Sequence, residues 1–303
     1  MNTAAKLSAY GVALALVATG AWAVGSAVGP LSAEQAPKAD EGGTHGSEAA
    51  GHGDTHSGTV AEGAQDLPKG LASTRGGYTL APTATTLPTG TSPLSFRILG
   101  PDGHAVTSFE VEHDKKMHLI VVRRDTAGYQ HVHPEMAADG TWSVPVTLPA
   151  GGSYRVFADF KPAGAAATTL GADVSVAGDF QPKAHAEARV AQVDGYQVRL
   201  DGDLKPGQAS PLKLTVSKDG GPVTDLQPYL AAYGHLVALR QSDLAYLHVH
   251  PEGSPGDGKT APGPEIAFVA EVPSEGGYRL FLDFQHGGVV RTAEFTVEAG
   301  HGH

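Results

Sequence analysis

Tyr129-Gln130-His131-Val132-His133-Pro134-Glu135 returns later in the chain as Tyr246-Leu247-His248-Val249-His250-Pro251-Glu252. Side chains of a β-strand alternate between its two faces, so histidines one residue apart look out of the same side. Two imidazoles on one face are a start toward a transition-metal site. The surroundings recur as well. Gly77-Tyr78-Thr79-Leu80 answers Gly195-Tyr196-Gln197-Val198, and Ser92-Pro93-Leu94 answers Ser210-Pro211-Leu212. His118-Leu119-Ile120 answers His235-Leu236-Val237, and Tyr154 to Phe160 answers Tyr278 to Phe284.

The chain therefore holds two copies of one unit, each about 100 residues long, the size of an immunoglobulin-type domain. Each reads as about seven short strands parted by Asp-Gly, Pro-Gly and Gly-Gly turns, and a helical period is missing after the N-terminus. This predicts an all-β chain with two tandem antiparallel immunoglobulin-like β-sandwiches, at 77–180 and 184–298. A cupredoxin-like Greek key remains open beside it. The second copy carries a Gly/Pro-rich insertion, Gly253 to Pro264, which reads as a surface loop.

Before the first copy, Lys6 precedes an uncharged run from Leu7 to Gly29, and Ala21-Trp22-Ala23 offers a small-x-small cleavage site. Residues 1–30 are read as a signal peptide or an uncleaved anchor. Uncleaved, the run would give a helix of roughly 35 Å, enough to cross a bilayer; cleaved near Ala23, it leaves a secreted protein. Both readings put the rest of the chain outside the cytoplasm. Residues 31–76 read as a disordered tether carrying His45, His52 and His56, and 299–303 as a tail with His301 and His303.

The chain of 303 residues has no cysteine, which removes disulfides, thiolate metal sites and thiol nucleophiles. A net charge of −11 with no basic stretch argues against nucleic acid as a partner. Gly-x-Ser-x-Gly, His-Glu-x-x-His and phosphate-loop motifs are all missing, so no enzymatic activity is expected.

The candidate site is built by a hairpin around Arg124 to Gly128. If His118 pairs across from His133 or Glu135, then His118, His131 and His133 share a face. A slip of one residue would send His118 to the other side. The second copy offers His235, His248 and His250 by the same argument. Ligating imidazoles need an acceptor to fix the tautomer, and each copy offers a carboxylate within an apolar strand, Asp159 and Asp283. Glu135 and Glu252 are further oxygen ligands or orienters, and Pro134 and Pro251 end their strands. Three converging imidazoles suit copper, with zinc as the alternative. Met117 and Met136 flank the first site and hint at Cu(I). The alternative to a metal site is a structural network of His–Asp and His–Tyr hydrogen bonds in a non-catalytic cell-surface interaction module.

From His118-Leu-Ile-Val-Val through the Tyr-Gln-His-Val-His-Pro-Glu stretch to Tyr154-Arg-Val-Phe-Ala-Asp-Phe160, the chain resembles a group of exported bacterial β-sandwich proteins associated with heavy-metal, chiefly copper, handling. The resemblance implies a periplasmic or cell-surface sandwich and a role with copper. The expected partners are then a metal ion and, through the N-terminal helix, a membrane.

Overall fold

The computed structural model describes residues 68–300. The proposed signal or anchor, residues 31–67 of the proposed tether and the tail histidines His301 and His303 lie outside the described residues, as do the side chains of His248 and His250. No helix among the described residues is long and apolar enough to cross a membrane.

The first repeat is built from β1 (Thr74–Arg75), β2 (Tyr78–Pro82), β3 (Thr86–Leu87), β4 (Gly90–Leu99) and β5 (Met117–Arg123). It continues with β6 (Gln130–Val132), β7 (Glu135–Met136), β8 (Thr141–Leu148), β9 (Gly152–Phe160) and β10 (Thr168–Val176). One sheet runs β1-β2-β4-β8-β7 and the other β3-β10-β9-β5-β6, with β3 parallel to β10. From β2 onward this is the ABED and GFC order of an immunoglobulin sandwich, so the Greek-key alternatives resolve to that topology. Tyr154, near the start of β9, donates its hydroxyl to the Ala150 carbonyl at 2.9 Å, and Tyr278 does the same to Ser274 at 2.9 Å. Such a tyrosine corner is a hallmark of the fold.

The second repeat contains β11 (Val190–Val193), β12 (Tyr196–Asp201), β13 (Ala209–Lys218), β14 (Gly221–Pro222) and β15 (His235–Arg240). After them come β16 (Tyr246–Pro251), β17 (Glu265–Glu271), β18 (Gly276–His286) and β19 (Val289–Ala299). Its two layers join into one nine-stranded sheet, because β16 pairs with β15 at one end and with β17 at the other. Both strands end where the prolines were expected to end them: β6 stops two residues before Pro134, and Pro251 is the last residue of β16, opposite Phe268, where a missing backbone donor is tolerated.

Two interior cores fill the sandwiches. Met117, Leu119 and Val121 lie in the first with Tyr154, Val156 and Phe160, and Leu236, Ala238, Leu280 and Phe284 lie in the second. A third cluster belongs to both repeats: Ile120, Val122 and Phe157 meet Val237, Leu239, Leu244, Tyr246 and Phe281. These residues alternate with the interior ones along the same strands, so β5, β9, β15 and β18 are buried on both faces. The repeats thus pack outer face to outer face, and Tyr129 stacks on Phe281 with ring centroids 4.0 Å apart.

Strand pairing starts before the predicted boundary. Gly70 and Leu71 offer their carbonyls to the buried Arg155, and β1 falls within the stretch read as tether. Lys69 accepts a backbone bond from Tyr246 at 3.0 Å while Gly70 donates to Thr169 at 3.1 Å, so this strap touches both repeats.

Candidate metal centre

The register of β5 against β6 pairs Leu119 with Val132 and Ile120 with His131. Extended by one residue, it sets His118 opposite His133, the pairing the sequence argument required. Because Met117, Leu119 and Val121 turn into the sandwich, His118 turns out of it, toward the second repeat. His118, His131 and His133 are brought together, with ring centroids 5.4, 5.0 and 4.8 Å apart.

Hydrogen bonding fixes which nitrogens face inward. His118 Nε2 lies 3.0 Å from the Glu112 carbonyl, which can only accept, so Nε2 carries the proton and Nδ1 is bare. His131 Nδ1 donates to Asp283 Oδ2 at 2.8 Å, which leaves Nε2 bare in the neutral ring. The bare nitrogens of His118 and His131 point at each other, 3.2 Å apart, and His133 Nε2 lies 3.3 Å from His118 Nδ1. Two nitrogens on one tetrahedral ion at about 2.0–2.1 Å are themselves roughly 3.3 Å apart. Facing lone pairs repel unless a cation sits between them.

Burial pushes the His118 imidazole down to about 4, and the neighbouring His131 and His235 act in the same direction against the raising effect of the Glu112 carbonyl. Burial pushes His133 down to about 2, helped by His131 and His118. Both rings are neutral at pH 7, the form that binds metal. A cleft of about 10 Å³ opens beside His118, rimmed by Glu112, His113 and Lys115, and is wide enough for one water-sized species.

The acceptor of the His118 proton sits in an unusual turn. Glu112 and Lys115 exchange both backbone bonds around His113 and Asp114, whose φ values are 49° and 63°. Positive φ at both central residues is the I′ pattern, which favours Gly, Asn or Asp. The second repeat copies it six residues before His235: Tyr229 and Ala232 bracket Leu230 and Ala231, at φ 51° and 62°. Leu and Ala at such values are strained, by roughly 1–2 kcal/mol per residue. What the turn delivers is a carbonyl aimed at the imidazole, here Tyr229 to His235 Nε2 at 2.9 Å. Burial also pushes His235 down to about 4, against the raising effect of that carbonyl.

The orienting carboxylates differ from expectation. Each repeat was expected to supply its own, but the acid on His131 is Asp283 of the other repeat. Asp159 lies opposite His118 in the β5–β9 pairing, accepts from Thr169 at 2.8 Å and faces Tyr246 Oη at 3.5 Å. Glu135 and Glu252 are solvent-exposed and stand outside the cluster, because the chain has crossed to the other sheet by the time it reaches them. Met117 and Met136 pack into the first sandwich core, so neither thioether faces the histidines. His113 and Tyr229 were not foreseen. The His113 ring lies 6.1 Å from that of His118 and 5.6 Å from that of His235, and Tyr229 lies 6.3 Å from His133. Both belong to I′-type turns in which Asp114 is the one central residue that the type favours, and the approach of His113 to His235 and of Tyr229 to His133 across the repeats has no local signal.

A family model described as Domain of unknown function (DUF8832) matches the chain twice, over residues 72–178 and 191–301. No curated protein matches the sequence. Among solved structures, a putative membrane anchored protein from Corynebacterium diphtheriae aligns at 9% identity and TM-score 0.23, covering 75% of this chain and 60% of its own. InvD of Yersinia pseudotuberculosis aligns at 12% identity and TM-score 0.24, covering 74% of this chain and 57% of its own. The chain thus spans less than two thirds of either protein's length, and likenesses this distant carry no functional argument.

Proposed function

The chain belongs to the DUF8832 family, whose description names no activity, and we propose from its own side chains that it is a non-enzymatic, extracytoplasmic transition-metal-binding protein. The ion is held by His118 Nδ1, His131 Nε2 and His133 Nε2. The observation that carries this reading is the pair of bare imidazole nitrogens facing each other at 3.2 Å, each with its far nitrogen tied to an acceptor. Three nitrogens with a free position suit Zn(II) or copper. Sequence reading put copper first; we put Zn(II) first, because neighbouring ligands of square-planar Cu(II) sit closer, at about 2.8 Å. The export segment supports an extracytoplasmic location, whether anchored through Leu7–Gly29 or released near Ala23. His235, His248 and His250 stand at the equivalent sequence positions and are proposed as a second ligand set.

The test is competition of the full chain against chromophoric chelators with Zn(II) and Cu(II) at pH 7. Wild type should retain ions that the His118→Ala, His131→Ala, His133→Ala variant gives up. Equal retention by both overturns the reading.

The bond from His131 to Asp283 favours a second reading, in which the triad is scaffolding for two docked interaction domains. In that case the triple substitution lowers thermal stability by the same amount with and without chelator. If the loss disappears once chelator has removed the metal, the scaffolding reading fails.

A further inference from the structure

We propose that the first centre is completed across the repeat interface: Asp283 of the second repeat is the positioning residue for His131 of the first, so ion binding and docking of the repeats are one coupled equilibrium. This rests on the metal reading above.

Asp283 is built for that task. It lies on the outer face of β18 opposite His235 and is 2% exposed. One carboxylate oxygen is held in its own repeat by the Thr292 hydroxyl at 2.6 Å, opposite it on β19. The other is left for His131 Nδ1 at 2.8 Å. One arm anchors the acid and the other crosses the interface. Asp159 in the first repeat has the same division, with Thr169 on one oxygen and Tyr246 of the second repeat near the other. The carboxylates of both repeats are thus committed across the seam, each to a different kind of partner, since Tyr246 is the repeat counterpart of Tyr129 and not of His131.

Docked, Asp283 forces the proton onto His131 Nδ1 and leaves Nε2 bare toward His118. Undocked, His131 has no acceptor to choose its tautomer, and a ring protonated at Nε2 cannot bind the ion. An ion that prefers the docked form must favour docking by the same factor by which docking favours the ion. Removing an outer acceptor of a ligating imidazole typically weakens metal affinity by 10–100-fold.

The experiment is Zn(II) competition on the full chain carrying His248→Ala and His250→Ala, which restricts tight binding to the described triad. A chelator strong enough to strip the His-rich ends is kept present. Asp283→Asn, whose single carbonyl must serve both Thr292 and His131, should bind 10–100-fold more weakly. Thr292→Val, which keeps the acid but frees its anchor, should fall between. In the metal-free protein, ¹⁵N chemical shifts should move the His131 proton from Nδ1 toward Nε2 in Asp283→Asn. If Asp283→Asn binds within twofold of its parent, or lowers only the metal-free melting temperature, the proposal is overturned. If the parent itself binds nothing, it is the metal reading that has failed.

Discussion

Acidifying the metal-free protein from pH 7 to pH 5 should remove at least about 4 kcal/mol of folding stability, about 4 of it through His118 and His235, with His133 adding in the same direction. His118 and His235 are each 8% exposed and are held at about 4, chiefly by burial. An exposed imidazole titrates near 6.5. Their folded values therefore lie below the unfolded ones. The contribution is intact above about 6.5 and is lost as pH falls toward 4, because in that window only the unfolded chain takes up the protons. At one pH unit per 1.36 kcal/mol, each ring loses roughly 2 kcal/mol between pH 7 and pH 5. The window stays above the ordinary carboxylate range, which keeps acid side chains out of the measurement. Urea unfolding in chelator at pH 7, 6 and 5 reads the loss directly, provided the dependence on urea concentration keeps one slope. A thermal scan should show a fall of roughly 10 °C for a fold of this size. A change below about 1 kcal/mol across the window would refute the claim that burial outweighs Asp159 and Asp283 in holding these rings neutral.

Three further outcomes follow from the same geometry. Tyr129 Oη is buried with no hydrogen-bond partner among the described residues, so Tyr129→Phe should stabilise the protein by about 1 kcal/mol, measured by the urea midpoint, while the stack on Phe281 persists. The repeat-equivalent Tyr246→Phe, which loses a hydroxyl facing Asp159, should destabilise by a similar amount. Met117→Leu with Met136→Leu should leave ion affinity unchanged within twofold in chelator competition, because both thioethers lie in the sandwich core.

The repeat and the strand pattern were legible because strands alternate and turns carry Gly and Pro. Tyr154 and Tyr278 even mark the corners of the sandwich in the sequence. The triad was legible for the same reason, once the hairpin register held. The partner face was not. Leu119-Ile120-Val121-Val122 and Leu236-Val237-Ala238-Leu239 are unbroken apolar runs, and a strand with one wet face would have alternated. Those runs were the sign that both faces are buried, but only packing could reveal that the second cover is the other repeat. That is also why Asp283 was assigned to its own copy: spacing within a repeat is visible in one dimension, and a bond spanning 152 positions is not.

The strap at Lys69 and Gly70 has a mechanical consequence. Chain entering the fold there is held by one backbone bond to Tyr246 and another to Thr169, with the Arg155 guanidinium gripping the Gly70 carbonyl. A pull on the leading segment therefore loads both sandwiches at once and shears the seam beside the histidines, instead of peeling one strand from one edge.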